Sequence, residues 1–136
     1  LPVIEGATNL KSVQAEYDFA IDGGAVSTIT LRAPSGTIFG NEVSNGAVVY
    51  GGHLEVDTVP TSGGAPTIAV QLEAANDLVS ATAISGAPWS TTGRKSLIPV
   101  FSGAATLKTT AVRNVKIVVG TAALTAGKFR VVLYYR

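Results

Sequence analysis

The sequence has no cysteine, no methionine and one histidine, and only 14% of its 136 residues are charged. Without cysteine there is no disulfide, no thiolate nucleophile and no Cys-based zinc site. That fits a protein made in a reducing cytosol. Without an initiator methionine, the chain reads as starting after a processed or unrecorded N-terminus. An ordinary soluble domain carries about 25% charged residues. Mean hydropathy is +0.36, yet no stretch approaches the roughly 20 apolar residues that span a bilayer. Glu5 and Lys11 interrupt the N-terminal run, so it does not read as a signal peptide either. A chain this poor in charge is expected to hide part of its surface against partners, since large apolar patches are uncommon on monomers.

The length fits one domain, which buries roughly two-thirds of its unfolded surface and needs no covalent staple. The charges that remain are polarised. All nine acids lie at or before Asp77, where the only basic residues are Lys11 and Arg32. Arg94, Lys95, Lys108, Arg113, Lys116, Lys128, Arg130 and Arg136 follow, with no acid among them. Folding either interleaves the two halves or leaves an acidic and a basic edge suited to contact between identical subunits. The basic residues are scattered singly, so nucleic acid is not an expected partner.

What is present is β patterning. Alternation over Val13 to Ile21 puts Val13, Ala15, Tyr17, Phe19 and Ile21 on one face and Gln14, Glu16 and Asp18 on the other. Asp22-Gly23-Gly24 predicts a tight hairpin turn, with Val26 to Arg32 as the return strand. A loop spans Ala33 to Gly46. Val48 to Val59 reads as a long strand that Gly51-Gly52 bends or bulges. After a loop from Pro60 to Pro66 come a strand over Thr67 to Leu72, a short helical turn over Ala74 to Leu78 and a strand over Val79 to Ser85. Gly86 to Gly93 is a loop holding the lone Trp89. Ser96 to Phe101, Ala105 to Thr110 and Asn114 to Gly120 are further strands. In the last, Lys128 to Tyr135, Phe129, Val131, Leu133 and Tyr135 face inward. The expected fold is all-β: a single-domain, jelly-roll-like β-sandwich of eight to nine strands with little or no helix.

Catalytic chemistry finds few residues. A Ser-His-Asp triad would need His53, yet His53 and Asp57 stand about 13 Å apart along one strand. His53, Glu55 and Asp57 share a face at i, i+2 and i+4, as metal ligands would. Neighbours about 6.5 Å apart reach one ion poorly, which favours a solvated face opposite Leu54 and Val56. Glu16/Asp18 and Glu55/Asp57 overlap the carboxylate spacing of inverting glycosidases, a spacing that strand alternation also produces freely. Asp22-Gly23-Gly24 lacks the later acids of a calcium loop. Trp89 with Tyr50, Tyr134 and Tyr135 offers a sugar-stacking platform, or Trp89 packs on the end of the sandwich or fills a subunit contact. No catalytic residue, cofactor or metal is assigned.

Four stretches carry a family resemblance. They are Tyr17-Asp18-Phe19-Ala20-Ile21-Asp22-Gly23-Gly24-Ala25, Gly52-His53-Leu54-Glu55-Val56-Asp57-Thr58, Thr61-Ser62-Gly63-Gly64-Ala65-Pro66-Thr67-Ile68-Ala69 and Leu124-Thr125-Ala126-Gly127-Lys128-Phe129. With the strand order, from about Val13 to Arg136, the chain resembles tailed-phage capsid cement (decoration) proteins of the jelly-roll type. The resemblance implies a non-enzymatic virion protein, made in the host cytoplasm, that binds the outside of an icosahedral head. It implies a homotrimer clamping neighbouring major capsid subunits, without cofactor, nucleic acid or membrane. Residues 1–12 read as an N-terminal arm, reaching onto the shell or a neighbour, or as a frayed terminus. The alternative is a carbohydrate-binding or receptor-binding β-sandwich domain of a phage structural protein.

Overall fold

The structure, a computed structural model, describes residues 10–34, 41–96 and 107–136. The final strand organises it. In β10 (Ala126–Tyr135) residues alternate strictly, with Phe129, Val131, Leu133 and Tyr135 buried as their apolar period demands. It pairs antiparallel on one side with β1 (Lys11–Asp18), from Lys11↔Tyr135 to Asp18↔Lys128. On the other it pairs with the long β4 (Val49–Thr61), which in turn pairs with β7 (Gly93–Ser96). This sheet has the order β1-β10-β4-β7.

The second sheet is built from β2 (Ser27–Thr30), β9 (Lys116–Gly120), β5 (Thr67–Gln71) and β6 (Val79–Ala83), in the order β2-β9-β5-β6. Two facing antiparallel sheets of four strands, each mixing early and late strands, form a jelly-roll sandwich. A two-residue pair, β3 (Glu42–Val43) with β8 (Arg113–Asn114), brings the total to ten strands among the described residues. No helix among those residues is long and apolar enough to cross a membrane.

The core lies between the sheets. At one end Phe129 stacks between Tyr17 and Trp89, with ring centroids 5.0 and 4.8 Å away. Trp89 is fully buried, in a turn where Trp89 N–H and Ser90 N–H both donate to the Gly86 carbonyl. Its indole Nε1 has no hydrogen-bond partner among the described residues. The Tyr17 hydroxyl donates to the Gly23 carbonyl, and burial, followed by Asp22 and Asp18, pushes its pKa up to about 12.

Several local expectations are corrected. Asp22-Gly23-Gly24 is not a hairpin turn, since β1 and β2 belong to different sheets. Asp18 ends β1 and caps a single helical turn, α1 (Phe19–Asp22), by accepting from Ala20 N–H. Ile21 therefore points outward, 61% exposed, and does not continue the apolar face. Gly23, at φ 72°, closes the turn by donating to the Phe19 carbonyl. The segment around Ala74 to Leu78 is not helical. There the Asp77 carboxylate gathers the N–H groups of Leu72, Glu73 and Ala74, offering the backbone an alternative to helical bonds. Pro60 and Thr61 extend β4 into the expected loop. Lys11 and Ser12 belong to β1, while the rest of the expected arm, save Leu10, lies outside the described residues, as does most of the strand expected over Ser96 to Phe101.

The expected irregularity at Gly51-Gly52 is present. The register shifts between Tyr134 and Tyr135, which face Gly51 and Val49, so Tyr50 is an extra residue on β4. The two glycines differ sharply. A Cβ on Gly52 would run into the Val132 carbonyl and the Leu133 side chain, whereas one on Gly51 would meet nothing within 4 Å. Gly52→Ala is therefore expected to destabilise by about 1–3 kcal/mol, and Gly51→Ala to be neutral or slightly stabilising. Phe129→Ala should cost about 3–5 kcal/mol. Urea unfolding followed by Trp89 emission reads all three, and equal effects of the two glycine changes would contradict this packing.

Candidate interaction surface

The outward residues of the β1-β10-β4-β7 sheet form cross-strand ranks. One rank runs Glu16↔Arg130↔Glu55↔Arg94, alternating in sign over all four strands. Arg130 Nη2 lies 3.3 Å from Glu55 Oε2 and its Nε 3.6 Å from Asp57 Oδ2, while Arg94 Nη2 stands 3.8 Å from Glu55. Glu16, only 8% exposed, meets Arg32 Nη1 at 3.0 Å and Lys128 Nζ at 3.8 Å, and Arg32 also reaches Asp22 at 3.4 Å. The more exposed pairs of Glu55 and Asp57 contribute little each, up to about 1 kcal/mol. Together with those of Glu16 they cancel the charge of this half of the face. They also interleave the acid-rich and base-rich parts of the chain, so the polarity of the sequence does not survive as two opposite edges.

The next ranks, towards the chain's C-terminus, are different. Gln14↔Val132↔His53↔Ser96 and Ser12↔Tyr134↔Gly51 contain no acid, lysine or arginine. Tyr50 and Tyr134 are 47% and 38% exposed beside the open space over Gly51. The His53 ring lies 6.1 Å from that of Tyr134. Burial, and then Arg94, lower the His53 pKa against the opposing pull of Glu55, so the imidazole is neutral at physiological pH. The Arg136 guanidinium sits 6.0 Å over the Tyr50 ring, within cation–π range. Lys108 adjoins this edge through its bridge to Val48, which exchanges backbone hydrogen bonds with Arg136.

His53, Glu55 and Asp57 do share the outer face, opposite the buried Leu54 and Val56. The two carboxylates are taken by arginines, and no cluster of three or more metal-ligating side chains occurs among the described residues. Glu16 is likewise held in ion pairs, and Asp18 serves as a helix cap. Trp89 and Tyr135 are buried, so neither can stack on a sugar, whereas Tyr50 and Tyr134 are exposed. The charged rank escaped the sequence reading because it depends on register. The outward parity of Lys128 and Arg130 in the last strand was the available signal.

The outer face of the second sheet is almost free of charge. Thr28↔Val118↔Ala69 and Thr30↔Lys116↔Gln71 line it, with Lys116 as the one ionised group in those ranks. Glu73 joins the turn after β5 to Thr110 and to Arg113 at the start of β8. Its carboxylate accepts from Arg113 Nε at 2.7 Å and Nη2 at 3.1 Å, and from the Thr110 hydroxyl and N–H.

No family profile and no curated protein matches the sequence. The fold does match solved structures. A chain in the acid-stable capsid of Helicobacter pylori bacteriophage KHP30 is similar at 16% identity and TM-score 0.58, over 93% of this chain and 86% of that one. A chain of the cyanophage Pam1 capsid asymmetric unit reaches 21% identity and TM-score 0.61, over 99% and 91%. One from the capsid of Ralstonia phage GP4 gives 16% and 0.60, over 98% and 88%. These likenesses establish a shared fold along nearly the whole chain.

Glu73 carries a pH prediction. Its bonds to Arg113 and Thr110 lower its pKa from 4.5 to about 2. Because the folded pKa lies below the unfolded one, the contribution is complete above 4.5, shrinks as pH falls towards 2, and is absent below that. Glu73→Gln should therefore lose stability at neutral pH, and the gap from the parent should close across that window. A gap independent of pH in urea titrations would show that the ion pair is not its source.

Proposed function

We propose that the chain is a structural protein of a tailed-phage capsid: a cement protein that binds the outer surface of an icosahedral head, as a homotrimer, and clamps neighbouring major capsid subunits. The observation that carries this reading is the end-to-end likeness to chains from three phage capsids, over 93–99% of this chain. The same match includes both sheets, so it concerns the whole domain and not one motif. The physical properties support it. The outer face of the second sheet, with Lys116 its only charge in two ranks, offers area that identical subunits can cover at little desolvation cost. Three linked copies add avidity to individually modest contacts with a shell.

The reading assigns no reaction, cofactor or metal to the chain. In it residues 1–10, the part of the expected arm that precedes β1, reach onto the shell or a neighbouring subunit. A glycan-binding domain is the weaker reading, because burial of Trp89 removes its main stacking group.

Light scattering is expected to give three times the 13.8 kDa subunit mass. The protein should also co-sediment with shells of its phage and raise the temperature at which they rupture. A monomer indifferent to shells would overturn the proposal. Removal of residues 1–10 should weaken shell binding while Trp89 emission and the unfolding midpoint stay unchanged, and unaltered binding would eliminate the arm.

A further inference from the structure

We infer that the uncharged half of the outer β1-β10-β4-β7 face, centred on Tyr50 and Tyr134 and bordered by Lys108, is the docking site for a carboxylate-bearing protein surface. This inference rests on the reading of the chain as a shell-binding protein and names the chemistry of the partner surface.

Charge is divided unevenly over this one sheet. Around Glu16, Glu55 and Arg130 every outward charge is answered within the domain, so that half needs no partner. In the adjoining ranks the outward positions hold serine, glutamine, valine, histidine, tyrosine and glycine, none charged at neutral pH. Two tyrosines stand exposed there although their strand neighbours are packed. Tyrosine supplies much contact area at low entropic cost and is enriched at the centres of interfaces. The bulge makes Tyr50 an extra residue on β4, and the bare Gly51 beside it leaves open space next to the exposed rings.

Charge complementarity selects the occupant. Lys108 is exposed at the border of this patch and makes no ion pair within the described chain. The Arg136 guanidinium packs over the Tyr50 ring beside it. An apolar partner would leave the Lys108 ammonium at the rim unanswered, whereas a carboxylate there gains a charge-assisted contact. A partner that brings carboxylates to this border and an apolar or amide group to the centre satisfies both parts of the site. Nucleic acid is the poorer fit. Its binding draws on many phosphate contacts, and the ranks of the patch itself, Gln14↔Val132↔His53↔Ser96 and Ser12↔Tyr134↔Gly51, supply no lysine or arginine to make them.

The test uses the full-length protein, shells of its phage stripped of it, and the variants Lys108→Glu, Tyr134→Ala and Tyr50→Ala. Ile21→Ser, an exposed apolar position elsewhere on the domain, is the control. Trp89 emission and subunit mass confirm that each variant folds and assembles. Each of the three changes is expected to weaken co-sedimentation by about tenfold or more. Lys108→Glu should also flatten the salt dependence of binding, and Ile21→Ser should leave binding as it was. If the parent binds shells and folded variants bind equally well, this inference fails and the cement reading stands. A parent that ignores shells removes both. Variants that lose subunit assembly, or that lose binding to a dT oligonucleotide and not to shells, overturn the inference by assigning the face to a second copy or to nucleic acid.

Discussion

The structure depends on one strand finding two partners in register. β10 is hydrogen-bonded to β1 from Lys128 to Tyr135 and to β4 across register shifts near both ends, and its period of two decides which of its own side chains go inward. Phe129, Val131 and Leu133 pass inward as a block, where Phe129 joins Tyr17 and Trp89. Lys128 and Arg130 pass outward as a block, where they meet acids contributed by strands more than seventy residues away in sequence. A slip of one residue would reverse both at once. It would bury two cations and expose the aromatic core. Register, core and surface charge are therefore one constraint seen from three sides.

Strand interiors were legible in the sequence and strand ends were not. The alternation of Val13, Ala15 and Tyr17, and of Phe129 to Tyr135, identified core faces because burial of apolar groups outweighs every other local preference there. The same alternation carried on to Ile21 was misleading. Asp18 and Asp22 offer the backbone carboxylate acceptors at short range, and these end the strand in a helical turn. Asp77 acts in the same way against the expected helix after β5. Sequence periodicity reports burial, and it is silent where a side chain caps the main chain.

The surface was legible in a more limited way. That His53, Glu55 and Asp57 share a face followed from parity. That this face is split into a self-neutralised half and a tyrosine-bearing half did not, because it requires knowing which residues of β10 and β7 stand opposite. The exposure of Tyr50 depends further on a bulge, which the glycine pair signalled without specifying which side chain it would turn outward. The burial of Trp89 against Phe129 likewise needed the turn after β6 to be placed over the end of the sandwich.

Internal cancellation of charge has a consequence at high copy number. Ionic groups compensated inside their own subunit contribute almost no long-range field, so copies set side by side would add little mutual repulsion through them. If the chain coats a shell as proposed, the last molecule to bind meets nearly the same potential from these groups as the first.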